Sequence, residues 1–386
     1  MKVLVLNNTV NYAGSNISFL NLAEGLIPKG VEFVIAGPKI DNDFFSERIV
    51  KLKIKYIIIP VNYSVYPRLS SFSGIRRFAS IIAYPSRLLK TILMQYVVRN
   101  KLYSLINEIR PDIIHTNTGV LHDGIICSHK THIPHVIHLR EYQDLDFGYH
   151  IYPSKRKFEN MLRTTNVITI THDITNHFHL ENYCNCSVIY NGILQKNNVA
   201  FEWPKQKFFL CCSRISEKKG HEDVIRAFAQ FSKNNKDYKL VILGEGDDKY
   251  INKLKRIASE LNCDRIEWPG FSNNPYDYMK KATALIVASF NEGFGRMTAE
   301  AVFAGCLTIG RNTAGTREII ERTGGVLFED VDHLCSGMMD LTNYSEQEYY
   351  DVIHKGQTFA IENYSIEANL EKTYEVYKKI LKPEQL

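Results

Sequence analysis

Short apolar runs recur along the chain, separated by longer stretches whose apolar residues fall at helical spacing. The runs at 3–6, 33–36, 56–59, 113–115, 135–139, 167–171 and 187–190 are too short for helices and read as buried strands. Between the first two, Phe19, Leu20, Leu22 and Ala23 give 18–26 the pattern of an amphipathic helix. This strand–helix rhythm predicts a doubly wound parallel sheet. At 193–207 it lapses into Gln, Asn, Pro and Lys, which marks a linker. A second alternation follows, with strands at 208–213, 239–243, 266–268, 284–288 and 307–309 and helices at 222–231 and 248–261. The stretch 366–381 reads as one long amphipathic helix. The expected architecture is α/β: two Rossmann-like doubly wound domains facing a central cleft, over 1–192 and 208–365, joined by the linker and followed by a terminal helix over 366–386. A length of 386 residues fits two domains.

Three strand ends of the second domain carry unusual residues. Ser213-Arg214-Ile215-Ser216-Glu217-Lys218-Lys219-Gly220 follows the first strand, Gly244-Glu245-Gly246 the second, and Ser289-Phe290-Asn291-Glu292-Gly293-Phe294-Gly295 the one at 284–288. In a parallel sheet these ends share one edge, where ligands bind, so motifs far apart in sequence converge. Arg214 and Lys219 can both reach a diphosphate, one as a planar fork and the other as a point charge. Fixed cations there stabilise the negative charge that grows on a departing phosphate and stand in for a divalent metal. Gly293 and Gly295 let backbone amides approach a ligand at the start of the next helix, which carries Glu300. Gly244 and Gly246 suit a strand-to-helix turn at least as well as a ligand contact.

Glu292 and Glu300, with seven residues between them, resemble the E-x(7)-E signature of retaining glycosyltransferases of the GT-B fold, specifically the glycosyltransferase family 4 type. The resemblance covers nearly the whole chain. Trp268-Pro269-Gly270-Phe271 is similar to the family segment beside the nucleobase, and the loop from Asn312 to Glu318 to one that closes the same site. Tyr190-Asn191-Gly192 is similar to the motif that ends the first domain. Asn11-Tyr12-Ala13-Gly14-Ser15 resembles a Gly-Gly loop over the phosphates and acceptor, with Ala13 in place of the first glycine. The resemblance implies a nucleotide-sugar donor of UDP or GDP type, held by Gly14, Arg214, Lys219, Phe271, Phe294, Gly295 and Glu300. Glu300 would accept hydrogen bonds from the ribose hydroxyls. Glu292 would contact hydroxyls of the transferred sugar and steady its cation-like transition state. His138, ending the strand at 135–139, matches a family histidine near the sugar and completes a catalytic set with Glu292, Arg214 and Lys219. The terminal helix is expected to cross back onto the first domain. The implied activity is a metal-independent, hexosyltransferase-like transfer, with retained anomeric configuration, to a glycan or lipid-linked hydroxyl acceptor in bacterial cell-surface polysaccharide or glycolipid synthesis.

Composition narrows the setting. Eight scattered cysteines lack the paired spacing of a zinc site, and several fall inside apolar strands, which points to a reducing, cytoplasmic environment. Ten of thirteen histidines lie between His115 and His179, but without a helical pair or an acidic partner at ligand spacing, so no metal is expected. The opening residues read as a strand rather than a signal peptide, and no run approaches the ~20 apolar residues of a membrane span. Between Glu47 and Glu108 there is no acid but there are eleven Lys or Arg, interleaved with aromatics such as Tyr66, Phe72, Tyr84 and Tyr96. Residues 48–101 are therefore expected to make a peripheral contact with an anionic inner leaflet. A net charge of only +5 and the absence of a recognition module argue against nucleic acid.

Rival functions remain. An NAD-type oxidoreductase would need a G-x-G-x-x-G loop after the first strand, and the chain has only Gly14 there. Glycoside hydrolases also use two carboxylates, yet here the glutamates are accompanied by cations suited to phosphate. A nucleotide-sugar epimerase of related architecture and a non-catalytic nucleotide-sugar-binding relative stay open as alternatives. Product analysis separates the first, and the intact Arg214, Lys219, Glu292 and Glu300 weigh against the second.

Overall fold

The computed structural model describes residues 1–10, 14–40, 43–67, 78 and 82–382. The chain divides into two compact units, Met1–Gly192 with Asn369–Leu386, and Ile193–Ala368.

In the first unit β1 (Lys2–Leu6), β2 (Glu32–Gly37), β3 (Lys55–Ile58), β5 (Ile113–Thr116), β6 (His135–Leu139), β8 (Asn166–Thr169) and β9 (Cys186–Val188) form an all-parallel sheet in the order β3-β2-β1-β5-β6-β8-β9. Its central strands are largely apolar because helices cover both faces, with His115, His135 and His138 as buried exceptions. Phe19, Phe33 and Phe45 fill one face, and Val98, Leu102 and Ile106 pack on the other. From Asn369 on, the helix Ile366–Leu381 belongs to this unit: Tyr377 is fully buried in the Phe19 face. A short antiparallel pair, β4 (Val65–Pro67) and β7 (Tyr149–Ile151), lies outside the sheet and has no counterpart in the sequence reading. Strands this short carry too little pattern to be recognised locally.

In the second unit β10 (Gln206–Cys212), β11 (Lys239–Leu243), β12 (Ile266–Gly270), β13 (Ala282–Val287), β14 (Thr308–Arg311) and β15 (Val326–Phe328) are again all parallel, in the order β12-β11-β10-β13-β14-β15. Counted from the first strand of the unit, this is the doubly wound order 3-2-1-4-5-6, and the direction of winding reverses between β10 and β13. Pro269 sits in the edge strand β12, where a missing ladder donor is tolerated. The segment 193–207, read as a linker, packs on this unit: the Ile193 amide donates to the Tyr364 carbonyl, that of Ala200 to the Phe303 carbonyl, and Trp203 lies against the core. Its Gln, Asn, Pro and Lys go with irregular backbone as far as Lys205, while Gln206 and Lys207 already belong to β10.

Candidate active site

The loops leaving β10 and β13 lie side by side because those strands are neighbours at the reversal of strand order. Between them is a cavity of about 310 Å³ lined by Arg214, Lys219, Glu292, Gly295, Arg296 and Thr298, among others. Three cations and one carboxylate line it, and Glu300 pairs with one of those cations, Arg296, which leaves an excess of one positive charge. The Lys219 ammonium donates to Glu292 Oε1 at 2.5 Å, both side chains being about one-quarter exposed. Arg214 is exposed and its side chain has no partner among the described residues. Glu300 is bonded to Arg296, whose Nε donates to Glu300 Oε1 at 2.8 Å. Arg296 is a site residue the sequence reading passed over. Its signal was a cation at the first position of a helix, where the helix dipole favours an acid.

The scaffold under this cavity converges on Ala288, just past β13. Its carbonyl accepts from Arg311 Nε at 3.0 Å, and a Cβ on Gly220 would sit 2.2 Å from the same oxygen. Gly220 has φ +68°, so that position demands glycine on both backbone and steric grounds. Arg311, on β14, also bonds Asp223 and the Glu329 carbonyl and is sandwiched between the rings of Phe290 and Phe328, at 4.5 and 5.0 Å. The Phe290 amide donates to the Lys218 carbonyl, and the Gly315 amide to that of Glu292. The Glu292 loop is thus tied to the Lys219 loop on one side and to the start of the Ala314–Thr323 helix on the other. Gly244 and Gly246 serve a structural purpose: built Cβ atoms would meet the carbonyls of Ser213 and Ile215 at 1.9 and 2.1 Å, so they let the β11 loop lie against the Arg214 loop.

The other sequence-predicted residues are placed as follows. Phe271 follows β12, two strands from β10, is 64% exposed and does not line the cavity. The Phe294 ring is buried edge-on against Tyr364, so this residue offers a ligand only its backbone. Gly295 has φ +89° and precedes the Arg296–Phe303 helix. Gly14 opens the helix Gly14–Leu26 with open space where a Cβ would be; Asn11, Tyr12 and Ala13 lie outside the described residues.

His138 belongs to the first unit and is fully buried, its ring stacked 5.8 Å from that of His115. Burial, and next the neighbouring Arg140 guanidinium, hold its pKa well below the ordinary histidine value. Arg140 Nη2 lies 3.2 Å from His138 Nδ1, and because arginine only donates, Nδ1 must accept. The neutral ring therefore carries its proton on Nε2, which is buried and without a partner among the described residues. Arg140 is itself buried and held by Asn117 and Asn191, and burial brings its pKa down to about 10 against the opposing charge of Glu141.

The basic stretch is only partly free to meet a partner. Arg48 and Lys51 pair with Glu24, Lys55 with Glu108, and Arg99 with the buried Asp123. Arg68, Phe72, Arg76 and Arg77 lie outside the described residues. The helix Tyr84–Ile109 buries Gln95, Val98, Leu102, Leu105 and Ile106 on one side. Its first half also exposes Leu89, Ile92, Leu93 and Tyr96, at i, i+3, i+4 and i+7, with Arg87 and Lys90 beside them. Among the described residues no helix is long and apolar enough to cross a membrane, and no group of three or more His, Cys, Asp or Glu could hold a metal ion.

Comparison with known proteins bears on both units. The chain is 33% identical over 172 residues to N-acetylgalactosamine-N,N'-diacetylbacillosaminyl-diphospho-undecaprenol 4-alpha-N-acetylgalactosaminyltransferase of Campylobacter jejuni, a match that takes in 42% of this chain and 45% of that one, so it spans less than half of that relative's length. It shares its fold with Anabaena Alr3699/HepE, solved in complex with UDP (TM-score 0.77, 17% identity, 98% of this chain and 100% of that), and with a glycosyltransferase of Rickettsia africae (TM-score 0.76, 19% identity, 99% and 98%). The fold is accordingly GT-B. Residues 12–194 match the Glycosyltransferase Family 4 model and residues 195–347 the Glycosyl transferases group 1 model. The two matches adjoin, and together they take in both units: the chain belongs to the group 1, family-4 type glycosyltransferases.

Proposed function

We propose that the protein transfers a sugar, with retained anomeric configuration and without a metal, from a nucleotide-sugar to a hydroxyl acceptor. The observation that carries this reading is the meeting of Arg214, Lys219 and Glu292 around one cavity. The donor's diphosphate bears two negative charges, which Arg214 and Lys219 would face. As the bond from the anomeric carbon to the phosphate oxygen breaks, the electron pair stays on that oxygen and a third negative charge develops. Lys219 would neutralise it, and Glu292, released from its bond to Lys219, would stabilise the positive charge on the sugar ring. Glu300 takes the ribose hydroxyls, the amides of Phe294 and Gly295 approach the phosphate or sugar, and Gly14 and Phe271 are further donor contacts carried by the resemblance alone. His138 is a further substrate contact carried by the resemblance alone, and its neutral ring with the proton on Nε2 would act there as a hydrogen-bond donor, not as a base.

The UDP complex of the Anabaena protein supports a UDP-type donor, and the diphospho-undecaprenol in the Campylobacter relative's name supports a lipid-linked acceptor and a place in surface-glycan or glycolipid synthesis. A bilayer-borne acceptor fits the exposed apolar stripe from Leu89 to Tyr96 with Arg87 and Lys90 beside it, which suits peripheral contact with an anionic leaflet. The test is thermal unfolding in chelator with a panel of nucleoside diphosphates and nucleotide-sugars, on the native protein and on Arg214→Ala. A ligand present at 100 times its dissociation constant adds about 2.7 kcal/mol, an easily seen shift. A shift that survives chelation and is lost in the variant supports the reading; no shift with any nucleotide refutes it.

A further inference from the structure

Arg296 stands where a helix-stabilising sequence would not put a cation. It is the first residue of the helix Arg296–Phe303, whose first turn holds no acid, so its charge faces the positive end of the helix dipole. Its i,i+4 partner Glu300 lies on the C-terminal side, the less favourable order for a helical ion pair. The bond to Glu300 uses Nε alone, and both terminal nitrogens of the guanidinium lack partners among the described residues. Those nitrogens belong to a side chain lining the cavity that also holds Arg214 and Lys219. A second observation points to a ligand at the same place. Thr298, fully buried and also lining the cavity, has a hydroxyl with no hydrogen-bond partner among the described residues.

We propose that Arg296 is a specificity-determining residue that couples the ribose and diphosphate contacts of the donor. Its Nε holds the Glu300 carboxylate in place for the ribose, while its terminal nitrogens, with the Thr298 hydroxyl beside them, bind the diphosphate as a fork. The inference rests on the nucleotide-sugar reading above. It assigns phosphate discrimination to a residue whose position is poor for stability, so the two effects separate on substitution.

The experiment is calorimetric titration of the best-binding of UDP, GDP and TDP and of its matching nucleoside, on the native protein, Arg296→Leu, Arg296→Lys and Arg214→Ala. Arg296→Leu should cut the diphosphate-over-nucleoside affinity ratio about tenfold or more, the size of one lost charge-assisted fork. Arg296→Lys should restore part of it, and the melting temperature of ligand-free Arg296→Leu should not fall. An unchanged ratio in Arg296→Leu, with the ratio lowered in Arg214→Ala, overturns the role of Arg296 and leaves the donor reading standing. A lowered melting temperature with no recovery in the lysine variant makes the residue structural and overturns it too. A native protein that does not prefer the diphosphate overturns the donor reading itself, and this inference with it.

Discussion

Replacing Glu292 by glutamine should tighten nucleotide binding while it damages catalysis. In the structure the Lys219 ammonium is already occupied, 2.5 Å from Glu292 Oε1, with side chains 28% and 24% exposed. The gross attraction of such a pair is several kcal/mol at an effective dielectric of ~20. Partial exposure and the ordering of two long side chains reduce its net worth to about 0.5–1.5 kcal/mol. A diphosphate that recruits Lys219 must break this pair, so the same amount opposes binding. Glu292→Gln abolishes the competition, and UDP should bind roughly two- to tenfold more tightly. Turnover should move the other way. Loss of a fixed charge that faces charge developing only in the transition state typically costs about a hundred- to a thousandfold in kcat. Calorimetric titration with UDP and a product assay with labelled nucleotide-sugar read the two effects separately, and the gain in affinity should shrink as salt is added. Weaker UDP binding in the glutamine variant would refute the competition, and turnover within about threefold of native would refute the catalytic assignment.

Other expectations follow from burial and sterics. His115, His122 and His135 are fully buried with pKa values lowered to about 3 by desolvation, and His138 is lowered well below its ordinary value for the same first cause. Each is neutral when folded but takes a proton when unfolded below pH 6.5, so stability is retained above that pH and lost as pH falls toward the folded values. The loss should be about 1 kcal/mol per histidine between roughly pH 6.5 and 5.5, and denaturant titrations showing a flat first-unit stability over that interval would contradict it. Gly220→Ala, with φ +68° and a Cβ 2.2 Å from the Ala288 carbonyl, should cost about 2–4 kcal/mol and lower the melting temperature; a neutral effect would show that the loop yields. The native protein should sediment with anionic vesicles at low salt and be released at high salt, and Leu93→Asp should sediment less with no change in UDP binding; indifference to lipid charge would sink the membrane contact.

Much of the architecture was legible in local pattern. Parallel strands covered on both faces are mostly apolar, so short runs such as 208–213 and 284–288 announce β10 and β13 to within two residues. Strand polarity then places Arg214, Lys219 and Glu292 on one edge before any coordinates are seen, because every strand of a doubly wound sheet points the same way. The terminal helix Ile366–Leu381 was likewise written in its own periodicity.

Pairing across distance was not legible. Lys219 meets Glu292 across 73 residues, and Arg99 meets Asp123 across 24. The charge run that looked uniformly free is therefore partly neutralised, by Glu24, Glu108 and Asp123. His138 read as a strand-end residue, yet only the surrounding Arg140, Asn117 and Asn191 settle which ring nitrogen keeps its proton. Arg296 sat inside the quoted motif, but its unused donors and its bond to Glu300 exist only once the helix is formed beside the cavity. Hydrophobic periodicity is set by each segment's own burial and can be read residue by residue. The partner of a charge, and hence its protonation and availability to a ligand, is set by whichever side chains the fold brings within a few ångströms, and that only the tertiary structure decides.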